Sequence, residues 1–154
     1  MTEKLEQTHY NQLANKLEQT VLHLIALIPA GRSIQVVAHY NDQSVQQAAQ
    51  ISRNIDQFFT RLLHQPCEQR IYRHAHHSYL DIDLALTAFK RHQELRPLND
   101  LSLRQSEQAL ELWQQDRLQH QNNNGISDFI IQRHRTHYKK LMHALIQGEH
   151  AKPA

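Results

Sequence analysis

Residues 70–83, RIYRHAHHSYLDID, hold three histidines within four positions (His74, His76 and His77), followed by Asp81 and Asp83. Imidazoles and carboxylates are donors for zinc, and an arginine near a histidine is the pairing with which a metal-free ribonuclease stabilises charge and moves a proton. Both chemistries depend on where the side chains fall on the element that carries them. On a helix turning about 100° per residue, with Ile71, Ala75, Tyr79, Ile82, Leu86 and Phe89 inward, Arg70, Arg73, His74, His77 and Asp81 face away from the core. His76 and Asp83 lie on one flank.

A closed metal site takes three or four converging donors. His74, His77 and Asp81 stand at i, i+3 and i+7, so they offer two adjacent turns, and a further ligand has to come from another helix. No HExxH occurs, and HQPCE has a proline between its ends. No metal and no cofactor are expected. Arg70 with His76 or His77 has the spacing of a nuclease pair, as does Arg32 with His39. Thirteen histidines in 154 residues produce such spacings by chance. The expectation for the cluster is a basic, pH-sensitive outer face, a contact surface beside the last helix. Cys67, the one cysteine, follows Pro66 at a helix start, where the dipole lowers a thiol pKa. A lone cysteine forms no disulfide within the chain, and a structural role is expected for it. No Gly-rich phosphate loop, nucleophile elbow or carboxylate pair in an apolar context is present.

The clearest asymmetry of charge lies in SDFIIQRHRTHYKKLMHALIQG. Between Asp128 and Gln147 it carries Arg133, Arg135, Lys139 and Lys140 against Asp128 alone. Arg133 and Lys140 share one flank with His137, and Arg135 and Lys139 share the other. His134 falls inside the apolar stripe of Ile130, Ile131, Tyr138, Leu141, Met142 and Leu145, where it is expected as a core histidine bonded to a carbonyl or a neighbouring side chain. The basic residues read either as a solvated face balanced by Asp100, Glu107, Glu111 and Asp116 of the preceding helix, or as a phosphate-contacting surface. The candidate nucleic-acid set is Arg133, Arg135, Lys139 and Lys140, with Arg70 and Arg73 from the histidine segment.

Helices must position all of these groups. Tyr10, Leu13, Leu17, Val21, Leu24 and Ile28 mark an opening helix stopped by Pro29 and Gly31. Leu22 and Ile25 fall outside its stripe, which makes them candidates for a protein interface. Residues 32–43 read as a short helical or extended segment. Ser44 with Gln47 fits a capping box before the stripe of Val45, Ala48, Ile51, Ile55, Phe58 and Leu62, which Pro66 ends. A helix from about Glu68 to Arg96 stops at Pro97. Asn99 or Asp100 caps the next, with Leu103, Leu110 and Trp113 buried, and NNNG closes it through the left-handed conformation that Asn and Gly tolerate. Ser127 or Asp128 caps the last helix, closed by Gly148, and EHAKPA reads as frayed.

Three glycines and four prolines leave little material for hairpins, and the chain is rich in residues that lose little rotamer freedom in a helix. The expected fold is all-α: a single-domain antiparallel bundle over residues 1–148, four long helices plus one short helical or extended segment, with 149–154 a disordered tail. The opening residues lack a signal peptide's apolar core, and VLHLIALI is too short to span a membrane, so a cytoplasmic protein is expected. A formal charge of +2 does not by itself imply nucleic acid. The expected function is a non-enzymatic binding module in a larger assembly or a homodimer, contacting nucleic acid through the basic last helix. Two alternatives stand beside it: a small helical RNase using Arg70 with His76 or His77, and a protein-binding inhibitor without nucleic-acid contact.

Overall fold

The computed structural model describes residues 37–154. The opening helix, with Leu22 and Ile25, and Arg32 of the proposed Arg32–His39 pair lie outside the described residues. Within them are four long helices, α1 (Asp42–Leu63), α2 (Tyr72–Glu94), α3 (Asp100–Asn123) and α4 (Asp128–His150), with a 3-10 turn at Cys67–Gln69 between α1 and α2. No strand occurs among the described residues. Short connections force each helix to run antiparallel to the one before it. α1 packs on α2 and α4, and α3 packs on α2 and α4, so α2 and α4 stand across a diagonal.

The core follows the apolar stripes of α1, α2 and α4. Ala48, Ile51, Ile55, Phe58, Phe59 and Leu62 of α1 meet Tyr79, Ile82, Leu86 and Phe89 of α2, and Ile131, Tyr138, Met142 and Leu145 of α4. Trp113 of α3 is fully buried among four aromatic rings, with centroids at 5.1 Å to Tyr79, 5.5 Å to Phe58 and Tyr138, and 6.0 Å to Phe59. Its Nε1–H donates to the Tyr79 carbonyl at 3.0 Å.

α3 buries Trp113 as expected, but the rest of its inward face differs from expectation. It buries Ser102, Ser106, Ala109, Trp113, Asp116 and His120, while Leu103 and Leu110 are half-buried and Leu101 and Leu118 are exposed. The inward face is set by what the neighbouring helices bond to, and leucine count alone points one residue step away.

Some helix ends differ from expectation and others, at Asn99, Asn124 and Ser127, follow it. Asn41, not Ser44, caps α1: its side chain accepts from the Ser44 amide at 2.8 Å. The buried Ser44 hydroxyl instead accepts from Gln93 and Arg96 of α2. Pro66 and the 3-10 turn delay α2 to Tyr72. Asn124, at φ 46°, supplies the left-handed residue that closes α3. Ser127 caps α4. Gly148 does not close α4, which continues to His150.

The terminal segment expected to be disordered is bound into the bundle. Glu149 is buried, and its carboxylate accepts from the Asn41 amide and Arg96 at 2.8 Å each, and from Lys152 at 2.6 Å. The Pro153 carbonyl accepts from the Tyr40 amide at 2.7 Å. Lys152 also donates to Asn99 and Ser102. The start of α1, the end of α2, the start of α3 and the end of α4 are thereby joined at one pole. Contacts between residues fifty or more positions apart hold this segment, and its local sequence does not show them.

At the opposite pole sits Arg70. Its guanidinium donates to the carbonyls of Leu63, the last residue of α1, and Gln65 just beyond it, and pairs with Asp128 at the start of α4. Helix ends leave carbonyls without partners, and a buried arginine with five donors is suited to supply several at once.

Candidate functional site

The candidate nucleic-acid residues separate into three groups. The first is on α4. Phe129, 73% exposed, lines an open groove of about 480 Å³ with Gln132, Arg133, Thr136, His137 and Lys140. On the other flank, a groove of about 380 Å³ between α1 and α4 is lined by Ser52, Arg53, Asp56, Gln57, Arg135 and Lys139, among others. Arg135 reaches across it, placing Nε at 3.0 Å and an Nη at 2.8 Å from one Asp56 oxygen.

The α4 cations do not pair with the acids of α3. Asp116 is buried and Glu107 lies 3.9 Å from Lys90 of α2; Asp100 and Glu111 make no ion pair among the described residues. Arg133, Lys139 and Lys140 are exposed and likewise make no ion pair among the described residues. From Phe129 to Gly148, α4 carries no carboxylate. Arg133, Lys139 and Lys140 therefore present positive charge outside any ion pair among the described residues, while Arg135 is paired with Asp56.

The second group is Arg73 alone, exposed on α2 with His74 and His77. α2 packs on α1 and α3 and stands diagonal to α4, and the segment meets the start of the last helix through the Arg70–Asp128 pair. The third is Arg70, which is 5% exposed. Expected to face outward, it lies ahead of α2 and turns inward to bond the end of α1, so no guanidinium is available there for phosphate. The same burial removes the cation from the pairing with His76 or His77. His76 packs edge-on against Tyr72, with centroids 5.6 Å apart. His39 contacts the Ala154 carbonyl at 3.0 Å. Cys67 is exposed in the 3-10 turn and does not begin an α-helix.

A second constellation lies between α2, α3 and α4. His134 sits inside the α4 stripe, as expected, with Nδ1 at 2.9 Å from Asp116 and its ring stacked on Phe59 at 5.6 Å. The same carboxylate oxygen accepts from the Tyr138 hydroxyl at 2.7 Å. His120 places Nε2 at 2.8 Å from the Arg70 carbonyl and Nδ1 at 3.1 Å from the Tyr79 hydroxyl. A carbonyl only accepts, so the His120 proton is on Nε2 and Tyr79 donates to Nδ1. Burial lowers the His120 pKa; the bond to the Arg70 carbonyl opposes this and His134 adds to it. Burial, reinforced by Asp116, pushes the Tyr79 and Tyr138 phenols upward, which keeps both as donors.

Asp116, His120 and Tyr138 were not in the candidate set. The available signal was Trp113, Asp116 and His120 at i, i+3 and i+7, one helix face carrying three polar-tipped residues. Among the described residues no three His, Cys, Asp or Glu side chains are arranged to hold a metal ion. No helix among them is long and apolar enough to cross a membrane. In comparisons with known proteins, the chain matches no family model, no curated protein and no solved structure.

Proposed function

We propose that the protein is a binding module that holds a nucleic-acid strand along the outer side of α4. The observation that carries this reading is the twenty-residue stretch of α4 without a carboxylate, on which Arg133, Lys139 and Lys140 stand exposed without an ion-pair partner. Lysine and arginine contacts to phosphate release counterions, which makes binding tight at low salt and steeply salt-dependent. Phe129 at the head of the groove offers a ring face on which an unpaired base stacks.

Fluorescence anisotropy of a labelled oligonucleotide across a salt series tests this. The triple variant Arg133→Ala, Lys139→Ala, Lys140→Ala is expected to weaken single-strand binding at least tenfold and to flatten the log–log salt slope by about 2, from roughly 0.7 per lost phosphate contact. Phe129→Ala is expected to cost about 1–3 kcal/mol on single strands and much less on a duplex. Wild-type protein that leaves every oligonucleotide free at low salt removes the reading.

Self-association is the second part of the proposal. Leu95, Leu98 and Leu101 stand exposed within seven residues at the α2–α3 connection. Grouped apolar side chains at a surface mark protein contacts. The native mass is expected to correspond to more than one chain and to fall to that of a single chain in Leu95→Glu, Leu101→Glu protein. A single-chain mass for wild type at micromolar concentration rejects this part.

A further inference from the structure

The groove of about 380 Å³ between α1 and α4 has Ser52, Arg53, Asp56 and Gln57 on its α1 side and Arg135 and Lys139 on its α4 side. The two helices run antiparallel, and Arg135 meets Asp56 across the groove. One turn nearer the start of α1 stand Ser52 and Arg53, and one turn nearer the end of α4 stands Lys139. The antiparallel register therefore sets Arg53 and Lys139 at the same end of the groove, beyond the Arg135–Asp56 pair. Neither makes an ion pair among the described residues, and Arg53 donates only to the neutral Gln50 side chain, at 2.7 Å. The half-buried Ser52 hydroxyl has no hydrogen-bond partner among them. Three cations thus line the groove against one carboxylate. Asp56 is the one carboxylate of α1 after Asp42, and α4 has none from Phe129 to Gly148.

Arg135 Nε and Nη2 both reach a single oxygen, Asp56 Oδ1, at 3.0 and 2.8 Å. Arginine holds anions most strongly with two N–H groups on two separate oxygens, a geometry this pair does not use. The Asp56 side chain is 57% exposed, so water screens the pair, and exposed ion pairs hold weakly. Asp56 is therefore a displaceable occupant. A tetrahedral anion can take the two Arg135 N–H groups on separate oxygens and still offer oxygens to Lys139, Arg53 and the Ser52 hydroxyl. A carboxylate has only two oxygens, and Arg135 alone uses both.

We propose that the α1–α4 groove seats a phosphate group, held by Arg53, Arg135, Lys139 and the Ser52 hydroxyl, with Asp56 as the built-in anion that it displaces. The group comes either as free phosphate or as a backbone phosphate of a strand, and only the latter source rests on the function proposed above. Arg135 and Lys139 line this groove, while Arg133 and Lys140 line the one headed by Phe129. The phosphate seat is thus separate from the Phe129 groove, and α1 supplies part of it.

The test is a titration of the full chain, with arginine nitrogens labelled with nitrogen-15, against inorganic phosphate, and against sodium chloride at matched ionic strength. Phosphate is expected to shift the Arg135 Nε resonance saturably, and chloride is not. Asp56→Asn is expected to tighten phosphate roughly two- to fivefold, because the competing charge is gone. Arg53→Ala combined with Lys139→Ala is expected to weaken it about tenfold or more. Asp56, Arg53 and Lys139 are all exposed, so the fold tolerates these changes. On oligonucleotides, tighter binding by Asp56→Asn and a salt slope flattened by about 0.7 in Arg53→Ala identify backbone phosphate as the source. Phosphate binding with both variants matching wild type on oligonucleotides identifies the free group. No saturable Arg135 response to phosphate, an equal response to chloride, or phosphate binding that Asp56→Asn leaves unchanged or weakens overturns the proposal. Oligonucleotide binding without any phosphate response sinks the seat and leaves the α4 reading standing; a phosphate response without oligonucleotide binding does the reverse.

Discussion

Glu149→Ala is expected to lower the unfolding free energy by about 3–5 kcal/mol, the range for removing one partner of a buried ionic group. Urea denaturation followed by circular dichroism measures it. The Glu149 side chain is 4% exposed, and those of Arg96 and Lys152 are 12% and 7%. Truncation leaves both cations enclosed without their carboxylate. It also frees the Asn41 amide at the start of α1. Glu149→Gln keeps hydrogen-bonding atoms but not the charge, and is expected to fall between wild type and alanine. A loss below about 1 kcal/mol in Glu149→Ala would mean that other contacts hold the four helix ends together.

The same carboxylate gives stability a pH dependence of definite sign. Burial pushes its pKa up, but the hydrogen bonds and charges of Arg96 and Lys152 outweigh burial and hold it below the ordinary 4.5. Its contribution is complete above about pH 4.5 and is lost as pH falls toward the folded-state value. His120 acts earlier: burial lowers its pKa below the ordinary 6.5. The unfolded chain takes up that proton first, so stability begins to fall as pH drops below about 6.5. In Glu149→Ala protein the first decline remains and the second shrinks.

Trp113→Ala is the other large effect, expected at about 3–5 kcal/mol. It removes the largest fully buried side chain, against which Phe58, Phe59, Tyr79 and Tyr138 pack, and leaves the Tyr79 carbonyl without the indole N–H. Trp113→Phe retains most of the ring contacts and is expected to cost about 1–3 kcal/mol for the lost indole N–H bond and the smaller volume. Trp113 is the sole tryptophan, so circular dichroism is the readout for all three proteins. Leu118→Ala, exposed on the same helix, is the control and should stay within about 0.5 kcal/mol. Similar losses for Trp113→Ala and Leu118→Ala would contradict the packing described.

Amphipathic periodicity was enough to read α1, α2 and α4, because most of their inward positions are aliphatic or aromatic and most outward ones polar. It failed for α3, whose inward face is Ser102, Ser106, Ala109, Trp113, Asp116 and His120. A hydrophobic count cannot rank serine and aspartate above leucine; only partners on other helices do that. Arg70 was misplaced for a related reason. Read on a helix beginning at Glu68 it pointed to solvent, but α2 begins at Tyr72, and a long side chain ahead of it can reach carbonyls at Leu63 and Gln65. The α4 cations were legible because exposed charge is a local property. The order of the helices around the bundle, which sets α2 diagonal to α4, was not, because it depends on long-range packing. The groove between α1 and α4 needed two helices to exist at all.

The polar stripe of α3 settles a competition that hydrophobicity leaves open. Turned about its own axis by one residue step, about 100°, α3 would bring Leu103 and Leu110 to the centre. On leucine count alone that setting competes with the native one, but it would turn Trp113 and Ala109 outward and bring Glu107 and Arg117 inward. One orientation alone lets Trp113 meet the Tyr79 carbonyl, Asp116 meet Tyr138 and His134, and His120 meet Tyr79 and Arg70. In the other, those groups lose their partners, and the lost bonds open an energy gap between the native setting and its decoy. Asp116 and His120 thus work as a rotational key: they give up some burial energy so that the helix has one place to stop.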